Sequence, residues 1–136
     1  MQRIRTYLRN HPEEMERVFN YNESYVFFRI VDKGPLGAID VLLTPGRSAA
    51  TDLGLFPKAA LAFIQSDKPV VGEDGTIQSW EPFGRFVLNQ DTGGAIRGPG
   101  RVDLFWGSGP YAETAAGYMK HQGTLYFLVL KPREGK

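Results

Sequence analysis

Apolar residues recur at two different periods along this chain. Over the first twenty residues the spacing is helical, with Ile4, Tyr7 and Leu8 on one stripe and Met15, Val18 and Phe19 at i, i+3 and i+4. Pro12 is placed to open the second helical piece at its first turn, and Glu13 and Glu14 suit the positive end that follows. From Ser24 the period shortens to two. Residues 24–31 are β-branched and aromatic with alternating faces, which predicts a strand. Gly34-Pro35 breaks it, residues 38–43 begin the next, and Pro45-Gly46 marks a turn. Short strands are expected at 47–51 and 59–65. Residues 66–84 form a polar excursion containing Glu73-Asp74-Gly75; it is long for an unstructured connection and is expected to hold a hairpin of its own.

Further on, residues 85–90 and 101–105 read as strands flanking a glycine-rich loop. Residues 110–121 carry the clearest helix signals: Pro110 in the first turn, Glu113 near the positive end, Lys120 and His121 near the negative end, and Gly123 as the stop. Ala112, Ala115, Ala116 and Met119 make its expected buried face, and residues 124–130 a fully buried strand. Many short strands, glycine-rich corners and few helices predict a mainly β fold. The expected form is a small closed barrel with an N-terminal helical lead-in and one helix before the last strand, rather than a layered α/β sheet.

Composition narrows the chemistry more than the fold. A chain of 136 residues, 42% apolar and 23% charged, suffices for one compact domain. The net charge of +1 leaves no nucleic-acid partner, because Arg3, Arg5 and Arg9 alone supply too few cations on one face. Without cysteine there are no disulfides, thiolate nucleophiles or cysteine metal ligands, and two distant histidines do not make a metal site. No cofactor and no metal is therefore expected. No apolar run reaches membrane-spanning length and no targeting segment precedes the first helix, which leaves a cytosolic protein or a fragment whose targeting segment lies upstream.

The densest stretch for chemistry runs from Gln90 to Gly107, QDTGGAIRGPGRVDLFWG. If Asp91 ends one strand and Asp103 lies in the next, the glycine-rich loop can fold the two carboxylates towards each other. Of two close carboxylates one keeps a proton, as protonating a glycosidic leaving oxygen near neutral pH requires. The competing reading is that each aspartate ties down a loop by accepting backbone N–H bonds. Asp91-Thr92-Gly93 also spells the tripeptide of aspartic proteases, and a chain of this size suits one subunit of a dimeric protease. Against that, Asn89-Gln90 precede it where apolar residues are usual, and Gly94 follows where Ala or Ser is usual.

The same stretch closely resembles the C-terminal three-aspartate (3D) domain of the lytic transglycosylase A (MltA) family, in its D-T-G-G-A-I-K/R-G segment followed by D-L-F-W-G. The resemblance extends upstream through SYVFFR (24–29), GPLGA (34–38), LTPGRS (43–48) and Ala50-Thr51-Asp52, and downstream to Leu130. It implies a double-psi β-barrel over residues 21–136 and places the three aspartates at Asp52, Asp91 and Asp103. Asp103 would be the single catalytic acid/base, Asp91 its neighbour, and Asp52 a supporting residue. It further implies peptidoglycan as substrate, cleaved without water: the C6 hydroxyl of N-acetylmuramic acid attacks and a 1,6-anhydro product results. A tethered nucleophile needs no second carboxylate to activate water. Thr92, Gly93, Gly94, Arg97, Thr44, Arg47, Phe105 and Trp106 are the candidate substrate-binding residues. For Arg97 a solvent-facing loop role, and for Phe105 and Trp106 a place in the core, remain open.

Members of that family also carry a second domain, with the glycan cleft between the two. Residues 1–20 are expected to be the connection returning from it, so the chain reads as a fragment of a periplasmic, outer-membrane-associated parent. A lipid anchor cannot be formed in a chain without cysteine. The main rival function is the same barrel recognising glycan without cutting it.

Overall fold

In the computed structural model the described residues are 2–24, 27 and 29–132. The chain divides into two compact units, Met1–Asp32 and Lys33–Lys136. The first is helical: α1 (Gln2–Asn10), a 3-10 turn (Pro12–Glu14) and α2 (Met15–Asn20). Pro12 opens the 3-10 turn, as expected of a residue with no N–H to offer. Glu14 gathers this unit, accepting from the Tyr7 hydroxyl at 3.0 Å and the Arg17 guanidinium at 2.6 Å.

The second unit is built on one five-stranded sheet: β1 (Ser48–Ala50), β2 (Leu61–Val71), β3 (Ile77–Asp91), β4 (Asp103–Leu104) and β5 (Thr124–Phe127), with α3 (Pro110–Tyr118) before the last strand. The spatial order is β4-β1-β3-β2-β5. β1 runs parallel to β3, and the other three pairings are antiparallel. The fold is thus mainly β, as expected. The expected closure of the barrel is not drawn by backbone hydrogen bonds: among the described residues the edge strands β4 and β5 do not pair. β4 has only two residues, and both are spent on β1.

The core lies on one face, where Ala49, Ala62, Ile64, Phe83 and Val87 are buried beneath Val102, Leu104, Trp106, Met119, Leu125 and Phe127. Two of these central positions are alanine, which lets the facing segments approach closely. Ala112 and Ala115 are the buried side of α3, whereas Ala116 is exposed.

Several boundaries differ from expectation for identifiable reasons. The polar excursion at 66–84 is the outer half of one long hairpin, in which β2 and β3 pair from Leu61↔Leu88 to Val71↔Ile77. Pro69 and Pro82 lie where each strand has lost its other neighbour, so a missing N–H faces no ladder there. The hairpin itself was foreseen, and its turn sits at Asp74 and Gly75: Asp74 accepts from the Thr76 N–H at 2.9 Å, and Gly75 takes φ +77°. Residues 24–31 form no strand among those described; Tyr25, Val26 and Phe28 lie outside the described residues. High β-propensity does not make a strand without a paired neighbour. Of 38–43 only an isolated bridge, Leu36↔Leu42, remains.

The helix ends at Tyr118, earlier than predicted, and His121 lies beyond it with its ring 3.9 Å from that of Trp80. Gly123 is not a left-handed stop. A Cβ there would stand 2.4 Å from the Gln65 carbonyl oxygen, so close approach to β2 demands the glycine. β5 is shorter than predicted and half-exposed rather than fully buried, since β2 covers it only over four residue pairs.

Candidate functional site

β1 is the centre of the site. Ala50 pairs with Asp91 of β3 on one side and with Asp103 of β4 on the other. Residues paired across a sheet share a face, so both aspartates flank Ala50, their backbones roughly 10 Å apart at two strand spacings. A bulge makes this possible. Ala49 pairs with Asn89 but Ala50 pairs with Asp91, leaving Gln90 as the extra residue. Without it Gln90 would stand opposite Ala50 and Asp91 would turn to the other face. The bulge is pinned on both sides, by a Ser48 hydroxyl donating to Gln90 Oε1 and by the Thr92 hydroxyl donating to the Thr51 carbonyl at 3.0 Å.

Asp91 and Asp103 both line a cavity of about 230 Å³ together with Leu43, Ser48, Ala50, Ile96 and Phe105. Asp103 also lines a larger groove of about 720 Å³ that runs past Arg101 and Val102 to Lys120, His121 and Leu125. Among the described residues no other side chain lines both.

The three aspartates are held differently. Asp52 is nearly buried and accepts from two backbone amides, Gly98 N–H at 2.7 Å and Gly54 N–H at 2.9 Å, with Arg97 Nη1 at 4.0 Å. Those amide bonds, first that of Gly98 and then that of Gly54, hold its carboxyl below the ordinary aspartate value against the opposing effect of its burial. Asp91 accepts from the Ala38 N–H at 3.1 Å. Its strand end is clamped by Gly37, where a Cβ would stand 2.4 Å from the Gln90 carbonyl oxygen.

Asp103 is not the embedded carboxyl that the sequence suggested. Its side chain is 47% exposed and both oxygens are held by Arg101, Nε at 3.0 Å and Nη2 at 3.1 Å. The pair holds the Arg101 guanidinium above its ordinary value.

The remaining candidates divide. Phe105 lines the smaller cavity, its N–H bonded to the Ser48 carbonyl at 2.9 Å and its carbonyl to the Gly46 N–H. Thr92 ties β3 to the residue after β1, and Gly93 accepts the Ile96 N–H in the loop turn. Gly94 accepts from Arg97 Nε at 3.1 Å, and the Arg97 side chain is otherwise largely in solvent. Thr44 and Arg47 shape the turn into β1: the Thr44 N–H bonds the Ser48 hydroxyl, and Arg47 Nη1 reaches the Phe86 carbonyl at 3.0 Å. Trp106 is a packing residue, set between Phe83 and Tyr111 at ring separations of 5.9 and 6.0 Å. Sequence reasoning missed Arg101, Ser48 and Ile96. For Arg101 a signal existed, since residues two apart in an extended segment project to one side and R-x-D places opposite charges there.

Comparison with known proteins places the chain in a family. Residues 47–129 match the 3D domain family, and residues 1–29 match the MltA specific insert domain. Membrane-bound lytic murein transglycosylase A of Escherichia coli (strain K12) is 31% identical over 137 residues, covering 99% of this chain and 36% of that protein. The crystal structure of MltA from Neisseria gonorrhoeae in its monoclinic form superposes with a TM-score of 0.80 at 35% identity, over 99% of this chain and 32% of that one. The structure of E. coli MltA with bound chitohexaose gives 0.75 at 28% identity, over 96% and 39%. The chain thus spans about a third of the length of the curated relatives it matches. The aspartic-protease reading of Asp91-Thr92-Gly93 gives way to these matches. With its three aspartates standing around β1 and its 3D domain matched over most of its length, the chain belongs to the lytic transglycosylase A (MltA) family.

Proposed function

We propose that this chain supplies the catalytic part of a lytic transglycosylase that cleaves the β-1,4 bond between N-acetylmuramic acid and N-acetylglucosamine in peptidoglycan. Asp103 is the acid/base. Its protonated carboxyl gives a proton to the departing glycosidic oxygen as the C1–O bond breaks. The C6 hydroxyl of the same muramic acid then attacks C1, and the Asp103 carboxylate takes the hydroxyl proton. The ring closes as a 1,6-anhydro sugar, and Asp103 returns to its starting state. One carboxyl serves both steps because the nucleophile is part of the substrate. Asp91, across Ala50, is its neighbour in the smaller cavity, and Asp52 supports the loop between them.

The observation that carries this reading is the position of Asp103, exposed at the meeting of the cavity and the long groove. An acid buried in the sheet would not reach a polymer. The groove supplies one wall for the glycan, and the rest of a longer parent protein supplies the other. The match of residues 1–29 to the insert domain supports this division. The membrane-bound relatives support a periplasmic, outer-membrane-associated parent.

Digestion of purified peptidoglycan, read by mass spectrometry, tests the reaction. Products lighter by one water than hydrolysis products, carrying 1,6-anhydro ends, are expected. Hydrated reducing ends would replace the transglycosylase with a hydrolase. If this chain yields products only when joined to the insert-domain portion of a relative, the second wall is required. If it binds glycan and yields none even then, it is a glycan-binding barrel.

A further inference from the structure

Asp52 and Asp103 are two of the three family aspartates, yet the structure records no hydrogen bond or ion pair between them. What joins them is the glycine-rich loop. Asp52 holds it from below through the Gly98 N–H at 2.7 Å. The loop is stiffened internally by the Ile96 N–H bonding the Gly93 carbonyl at 2.9 Å and by the buried Ile96 side chain. The Ala95 carbonyl of the same loop accepts Arg101 Nη1 at 2.8 Å, and the other two nitrogens of that guanidinium grip Asp103 at 3.0 and 3.1 Å.

We propose that Arg101 is a positioning residue that ties Asp103 to the glycine-rich loop, so that Asp52 sets where the Asp103 carboxylate stands without touching it. The planar guanidinium suits this task because its donors lie in a fixed fork, two facing the carboxylate and another turned to the carbonyl. A lysine is a point charge without this planar fork and cannot reproduce the bidentate grip together with the carbonyl contact. Other charges near Asp103 do not compete for it: Arg97 is turned to Gly94 and Asp52, and Lys120 and His121 stand further along the groove. Asp91 faces it across Ala50 and takes the Ala38 amide instead. The inference rests on the proposed role of Asp103, and the arms below separate the two.

The tie itself is read by the Arg101 Nε–H resonance in 1H–15N spectra of the full chain, which needs no turnover. A hydrogen-bonded, slowly exchanging resonance is expected in the wild type, and a shifted, fast-exchanging one in Asp103→Asn. Asp52→Asn must move the resonance in the same direction by a smaller amount. If that variant unfolds, Asp52→Glu, which keeps the charge but alters the reach, serves in its place. A resonance already free in the wild type, or unmoved by both Asp52 variants, overturns the proposal. In turnover of peptidoglycan, Arg101→Gln is expected to lower kcat about tenfold or more with KM changed less than about twofold, because misplacing a reacting group costs rate rather than binding. Arg101→Lys should recover little of it. Wild-type kcat in Arg101→Gln also overturns the proposal. An active Asp103→Asn would instead remove the proposed catalytic role, while the spectra still decide the tie.

Discussion

Asp52 and Asp103 share a side chain and almost nothing else. Asp52 sits at the buried base of the site, its carboxylate filled by two backbone amides. Asp103 stands at the rim on a two-residue strand, half in solvent, held among the described residues by another exposed side chain, Arg101. The amide donors belong to the backbone, whereas the Arg101 guanidinium is carried on a side chain that is itself half exposed. The first arrangement anchors a loop and the second leaves a carboxyl within reach of solvent. The difference teaches that three aspartates in one motif need not share one task.

The sharpest way to break that contrast is to neutralise the rim. Asp103→Asn is expected to lower turnover by about 10²- to 10⁴-fold, the usual contribution of a general acid, while leaving the melting temperature within a degree or two of the wild type. A large loss of stability would show that the rim is scaffold after all. Next comes the base beside Asp91. Gly37→Ala places a Cβ 2.4 Å from the Gln90 carbonyl oxygen and should cost about 2–3 kcal/mol in chemical denaturation, because backbone must move to relieve it.

Acid sharpens the contrast further. Because the folded carboxyl of Asp52 lies below its ordinary value, the unfolded chain binds the extra proton first as pH falls. The stabilisation is complete above the ordinary aspartate range and is lost as pH falls through the folded value. Melting temperature followed from about pH 6 to pH 3 should therefore fall less steeply in Asp52→Asn than in the wild type. Equal slopes would mean that the amide bonds of Asp52 carry no preference for the charged form. The smallest effect lies far from the site. Lys68 and Glu81 pair across the outer hairpin at 2.7 Å, but the pair is partly solvent-exposed, and Lys68→Ala should change stability by less than about 1 kcal/mol.

Much of this contrast was written in residue types, and the rest was written in pairing. The helical lead-in, β1, the inner halves of β2 and β3, and the start of α3 follow from period, proline placement and glycine punctuation. The mainly β character follows from the same signals. That the outer hairpin continues β2 and β3 without a break was concealed because Pro69, Pro82 and the polar run from Ser66 to Lys68 look like loop, and only the absence of further neighbours there makes them tolerable in strands. Residues 24–31 erred the other way, with strand-like composition and no strand among the described residues. The bulge at Gln90 was illegible for a deeper reason. Which face Asp91 takes depends on a register set by β1, forty residues earlier. The exposure of Asp103 is of the same kind, since nothing in D-L-F-W-G says that its strand lies at a sheet edge.

The most direct measurement is the yield of 1,6-anhydro ends released from peptidoglycan by wild type, Asp52→Asn and Asp103→Asn side by side, each corrected for its folded fraction. If turnover requires the insert-domain portion, all three carry it. Anhydro products are expected from the wild type, a reduced but measurable yield from Asp52→Asn, and a yield lower by about 10²-fold or more from a fully folded Asp103→Asn. Anhydro products from Asp103→Asn at the wild-type yield would contradict the proposed role of Asp103.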